Sequence, residues 1–198
     1  MQARSLTEHE LNVAVAYAAH HTGKWSTRNR TLLLLSHWTG MRVCEVASLR
    51  LRHVLDVHGE IMNEIQLLPA ETKGRRARRV VLPHKAQAEL RNYIRKQFAL
   101  KSLAGVAYEL GHKPLFYTQK RRAFTANTLT QVYSRLYKSA GLTGATSHSG
   151  RRSFITNLAA RGANPRALQQ LASHQSLNTT MRYIDVNDSV LRAVVELI

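Results

Sequence analysis

Three short stretches of this 198-residue sequence set arginine, histidine and tyrosine in polar, turn-adjacent positions. The first, Thr39-Gly40-Met41-Arg42-Val43-Cys44-Glu45, puts Arg42 in the first turn of a helix with Glu45 three residues on. The second is His148-Ser149-Gly150-Arg151. Its spacing sets His148 and Arg151 about 60° apart around a helix, near enough to touch one anion together. The third carries His174 and Tyr183 across the mostly polar run Ser176, Leu177, Asn178, Thr179, Thr180, which reads as a short loop or cap. These residue types suit cleavage of a phosphodiester without a metal. That reaction needs a nucleophile, cations around the non-bridging oxygens and an acid for the leaving oxygen. Arginine fits the second role, since its planar fork gives a phosphate two parallel hydrogen bonds and stays charged at every working pH.

The elements that must hold these groups are mostly helices. Thr7 and Glu10 form a capping box ahead of Leu11, Ala14, Val15 and Ala18 at helical spacing. A second helix runs from Thr27 to Trp38, and a tight turn at Thr39-Gly40 leads into a third that begins at Val43. Between Val54 and Leu82, Ile61, Ile65, Leu67, Val80 and Val81 favour strands, with turns at His58-Gly59 and Lys73-Gly74. This segment is expected to form a small three-stranded antiparallel sheet. Helical spacing returns at Ala86, Leu90, Ile94 and Phe98 and again at Leu129, Val132, Tyr133, Leu136 and Ala140. A further helix through Phe154, Ile155, Leu158 and Ala159 stops at Gly162, and Asn164-Pro165 caps the next. The fold class is therefore α+β, mainly α, in one domain over 1–198. Beyond Tyr183, Asn187 and Asp188 read as cap residues before an apolar stripe of Val190, Leu191, Val194, Val195 and Ile198.

Composition points to the partner. Twenty-nine Lys and Arg against twelve Asp and Glu leave a formal charge of +17, which favours a polyanion such as nucleic acid. The single Cys44 excludes an intrachain disulfide and suits a reducing, cytoplasmic setting. The longest apolar run, Leu32 to Leu35, is too short for a membrane span. His20 and His21 are adjacent and point apart on a helix, so no metal is expected.

Taken in order along the chain, these segments resemble the tyrosine recombinase, or phage integrase, family, and the resemblance spans nearly all residues. Arg42 matches the family's T-G-x-R-x-x-E segment, His148 and Arg151 its H-x-x-R, and His174 the later histidine. Ser176-Leu177-Asn178-Thr179-Thr180-Met181-Arg182-Tyr183 looks like its approach to the tyrosine, and Lys73 fits its hairpin lysine. The resemblance implies a site-specific recombinase acting on double-stranded DNA without a cofactor. Arg42, Arg151 and His174 would hold the scissile phosphate, His148 would accept the phenolic proton, and Tyr183 would attack to give a 3′-phosphotyrosine. Lys73 would protonate the leaving oxygen, and Glu45 would support the site. It also implies a tetramer on two DNA sites, monomeric in free solution, with the tail of about 186–198 exchanged between subunits. The family's usual N-terminal DNA-clamping domain is expected to be absent.

Read by residue type alone, Lys73 could also belong to the run Arg75, Arg76, Arg78 and Arg79, a set suited to holding the DNA backbone. A relaxing enzyme of the type IB topoisomerase kind shares the same residues, and a DNA-binding regulator without the reaction shares the same fold. Two positions depart from the family pattern. Ala172-Ser173 stands where Leu-Gly is usual before the later histidine, and Arg152 stands where histidine is frequent.

Overall fold

A computed structural model describes residues 3–72, 74–183 and 195–196. Lys73 lies outside the described residues, as do the tail residues 184–194 and 197–198, which carry the expected caps and most of the apolar stripe.

Helix α1 (Glu8–His21) opens on the expected capping box, the Thr7 hydroxyl accepting from the Glu10 amide while the Glu10 carboxylate accepts from the Thr7 amide. Its small residues Ala14 and Ala18 are fully buried and let it close on α2 (Ser26–Thr39). Helix α2 is the axle of the domain. Leu32, Leu33, Leu34 and Leu35 are all buried, because α1, α4 (His84–Gln97) and α7 (Ser149–Ala160) each pack on a different side. A helix covered all round has no polar stripe, which explains its continuous apolar run. It ends at Gly40, whose φ of 61° is left-handed. A Cβ there would also press into the Phe154 ring of α7. Close approach recurs at Gly150, where a Cβ would strike the Ser36 hydroxyl of α2. The two glycines thus set how near α7 lies to α2.

Helix α3 (Val43–Ser48) follows the Gly40 turn, and strands β1 (Glu64–Leu67) and β2 (Arg78–Val81) pair antiparallel with Ile65 opposite Val80 and Leu67 opposite Arg78. The expected third strand is not formed among the described residues. Asp56 accepts from the amides of both His58 and Glu60, which folds residues 56–60 into a tight turn. That leaves one isolated bridge, Leu55 to Ile61, where a strand was expected. The sheet therefore has two strands.

Helix α4 buries Ala86, Leu90 and Ile94, as its spacing requires. After a short helix α5 (Val106–Leu110), which the sequence reading did not anticipate, α6 (Ala126–Ser139) buries Leu129, Tyr133, Leu136 and Tyr137. The hydroxyls of Tyr93 and Tyr133 donate to the carbonyls of Leu115 and Leu32, so both tyrosines serve the core. Helices α8 (Pro165–Ala172) and α9 (Leu177–Met181) close the described chain, α8 capped by the Asn164 side chain as expected. Among the described residues no helix is long and apolar enough to cross a membrane.

Candidate active site

Arg42 stands at the N-cap of α3, immediately after the Gly40-Met41 turn. Its amide and its Nη1 both donate to the Glu45 carboxylate, at 2.7 and 3.0 Å, and its Nη2 reaches the Ser173 carbonyl at 3.1 Å. Arg151 lies in the first turn of α7 and is 7% exposed. Its Nη1 donates to the Gly40 carbonyl at 2.7 Å and its Nη2 to the Ala172 carbonyl. The two arginines, 109 residues apart in sequence, thus converge on the end of α8.

His174 follows directly. The backbone turns at Ser173, whose φ of 50° and ψ of 51° are left-handed, and the His174 amide returns to the Gln169 carbonyl at 3.0 Å. Its ring Nδ1 pairs with the buried Thr180 hydroxyl at 2.9 Å. When Thr180 donates, the Nε2–H is left to face the cleft. The ring also stacks on Tyr183, with centroids 5.7 Å apart and 24° between planes. On Tyr183 a second contact falls: the Arg152 guanidinium lies over the phenol ring at 5.1 Å. Arg152, read from sequence only as a departure, therefore touches the candidate nucleophile.

A cleft of about 570 Å³ opens between this cluster and the β1–β2 connection. Arg42, His174 and Thr179 line one side, and Thr72, Gly74 and Arg76 the other. Both sequence neighbours of Lys73 therefore face the cleft. His148 sits exposed at the N-cap of α7, one turn before Arg151. Glu45 is fully buried beneath Arg42.

The basic run divides. Arg75, Arg76 and Arg79 are exposed, whereas Arg78 is 5% exposed and pairs with Glu45. The expectation that all four line a DNA-facing surface is corrected at Arg78 by strand geometry. Alternate residues of a strand face opposite sides, so Arg78 shares the inner face with Val80. That alternation was present in the sequence.

Burial, and then the guanidinium groups of Arg151, Arg42 and Arg78, push His174 down to about 4. Burial first and then Arg42 and Arg78 push Arg151 down to about 9, against the opposing pull of Glu45 and Tyr183. The site is thus a cationic cluster with a neutral imidazole, suited to an arriving anion. Buried His37 is likewise pushed down to about 4 by desolvation. An unfolded chain takes up protons at His37 and His174 once pH falls below about 6.5, while the folded chain resists until about 4. Stability is therefore full above that range and falls through it, by about 3 kcal/mol for nearly inaccessible His37. Urea midpoints at pH 7.5, 5.5 and 4.0 should descend; equal midpoints would contradict these two depressed histidines.

Ser173 allows another test. A non-glycine residue in the left-handed region is strained, and glycine is not. Ser173→Gly should raise unfolding stability by about 1 kcal/mol, read from denaturant midpoints, with an unchanged or lower midpoint opposing the assignment of strain.

Residues 4–189 match the sequence profile of the phage integrase family. The chain belongs to the phage integrase family. This phage integrase domain is 27% identical over 197 residues to the tyrosine recombinase XerA of Pyrococcus furiosus, spanning 98% of the chain and 61% of that protein. It superposes on the crystal structure of XerA recombinase with a TM-score of 0.74 at 25% identity, covering 100% of the chain and 65% of that structure. It also matches XerH site-specific recombinase bound to palindromic difH substrate in a post-cleavage complex, with a TM-score of 0.69 at 25% identity. That match covers 96% of the chain and 51% of XerH. The phage integrase domain thus spans about half to two-thirds of the length of these relatives.

Proposed function

We propose that this chain carries the strand-cleaving and rejoining activity of a site-specific DNA recombinase, with Tyr183 as nucleophile. The observation that carries the reading is the stacking of Tyr183 on His174 where the guanidinium groups of Arg42 and Arg151 converge. A scissile phosphate entering the cleft takes hydrogen bonds from Arg42 and Arg151, whose charge opposes the charge that grows on the pentacoordinate phosphorus. His174 adds an Nε2–H donor, and its neutrality means this donation costs no proton transfer. The phenol oxygen attacks phosphorus, the P–O5′ bond breaks, and a 3′-phosphotyrosine and a 5′ hydroxyl result. His148 accepts the phenolic proton and Lys73 supplies one to the leaving oxygen. Because the ester bond energy is kept, a second 5′ hydroxyl can displace Tyr183 by the reverse step.

Duplex DNA is the partner in this reading: the similar XerH recombinase is bound to a palindromic difH substrate, and the charge of +17 suits a polyanion. Exposed Arg75, Arg76 and Arg79 track the backbone, so affinity falls steeply with salt. Four protomers act together on two sites, and the chain acts in the cytoplasm, where its DNA lies.

The test is a nicked suicide duplex, its site selected by the chain from a random-sequence library. Incubation should leave protein covalently attached to DNA on a denaturing gel, followed by joining to a second site. Absence of adduct sinks the catalytic reading in favour of a DNA-binding regulator. Adduct with relaxation of supercoils and no exchange with a second site indicates the topoisomerase-like reaction.

A further inference from the structure

Three consecutive carbonyls at the end of α8 each accept from a different arginine. Leu171 takes Nη2 of Arg78 at 3.0 Å, Ala172 takes Nη2 of Arg151, and Ser173 takes Nη2 of Arg42 at 3.1 Å. The last carbonyls of a helix have no partner within it and carry partial negative charge, so they suit guanidinium donors. This row ends at the residue before His174. The other Nη of Arg78 pairs with Glu45, whose carboxylate also receives the amide and Nη1 of Arg42. Arg78 therefore links three parts of the domain: strand β2, the buried carboxylate under Arg42, and the helix end that presents His174.

We propose that Arg78 is a positioning residue of the phosphate site, holding Glu45 and the end of α8 so that Arg42, Arg151 and His174 face one anion. This rests on the phosphate-site reading given above. Arg78 borders the cleft but is only 5% exposed, with both Nη groups engaged by Glu45 and Leu171, so it acts on that anion mainly through its neighbours. Its charge matters as much as its contacts. Three guanidinium groups against the Glu45 carboxylate leave two positive charges in the cluster, which matches a phosphodiester made doubly negative by phenolate attack. Without Arg78 one positive charge remains, and Glu45 is free to draw Arg42 inward with both oxygens. Leu171 also loses its donor, which loosens the turn that carries His174. Lysine cannot reproduce this, because one ammonium does not reach Glu45 and Leu171 with the rigid fork of a guanidinium.

Two readouts separate positioning from general support of the fold. In single-turnover cleavage of the suicide duplex, Arg78→Met should lower the rate by about 100-fold, a loss like that of one transition-state donor, while DNA affinity changes less than about threefold. Arg78→Lys should recover about tenfold of that loss, since it returns the charge without the fork. In an Arg42→Ala background, Arg78→Met should cost less than about threefold, because groups acting through one another are not additive. The second readout needs no cleavage. The imidazole of His174 faces Arg42, Arg78 and Arg151, with Thr180 and Tyr183 against its ring. Followed by NMR in the free protein, its titration should move upward in Arg78→Met. Arg78→Gln is a second neutral variant if Arg78→Met fails to fold. A His174 titration that stays in place overturns the proposal, as does full additivity with Arg42→Ala. If the unaltered chain forms no adduct, the recombinase reading fails, and the His174 titration still decides the role of Arg78.

Discussion

Tyr183→Phe yields no covalent protein–DNA complex on the suicide duplex while folding and binding DNA as before. The substitution deletes one oxygen, the nucleophile of the proposed reaction, and keeps the ring. Stacking on His174 and the Arg152 guanidinium over the ring both survive, since each uses the ring and neither uses the hydroxyl. Loss of a covalent nucleophile typically removes most of the catalytic acceleration, so cleavage should fall by more than about 10⁴-fold. The competing tyrosines are poor substitutes. Tyr93, Tyr133 and Tyr137 are buried in the core, and Tyr93 and Tyr133 donate their hydroxyls to carbonyls. Tyr108 is 91% exposed on α5. Adduct that persists in Tyr183→Phe, seen on a denaturing gel, would assign the nucleophile elsewhere.

The second large effect is expected at Arg151. Arg151→Ala removes a cation of the proposed phosphate site and leaves the carbonyls of Gly40 and Ala172 without their donor. Single-turnover cleavage should fall by about 10²- to 10³-fold, the range for loss of one donor to a developing oxyanion. Each buried carbonyl left unpaired costs about 1–3 kcal/mol, so the variant also melts at lower temperature. Arg151→Lys separates these effects. It keeps a charge but cannot bridge Gly40 and Ala172, and it should stay folded with cleavage still reduced at least tenfold. Cleavage at the original rate in folded Arg151→Lys would mean that the guanidinium fork is not used on the phosphate.

Much of the helical framework was legible in sequence because each signal is local. The Thr7-Glu10 box, the Thr39-Gly40 stop and the Asn164-Pro165 start each need only a few residues to specify a helix end. The sheet was harder, since pairing depends on chain reversal. Asp56 Oδ1 gathers the amides of His58 and Glu60 into a turn, and the third strand shrank to a single bridge. The Ala172-Ser173 departure proved structural: Ser173 adopts the left-handed conformation that glycine would occupy more easily.

By itself the sequence determined the residue types of the site, their order, and the basic surface suited to DNA. These follow from covalent order and side-chain chemistry, which no packing alters. Tertiary structure decided how those arginines are tied together beside the cleft. Arg42 and Arg78 share one buried carboxylate, and Arg152 rests on Tyr183, because α3, β2 and α7 meet around the end of α8. Burial and charge at that meeting point set the protonation of His174, and both are sums over neighbours distant in sequence.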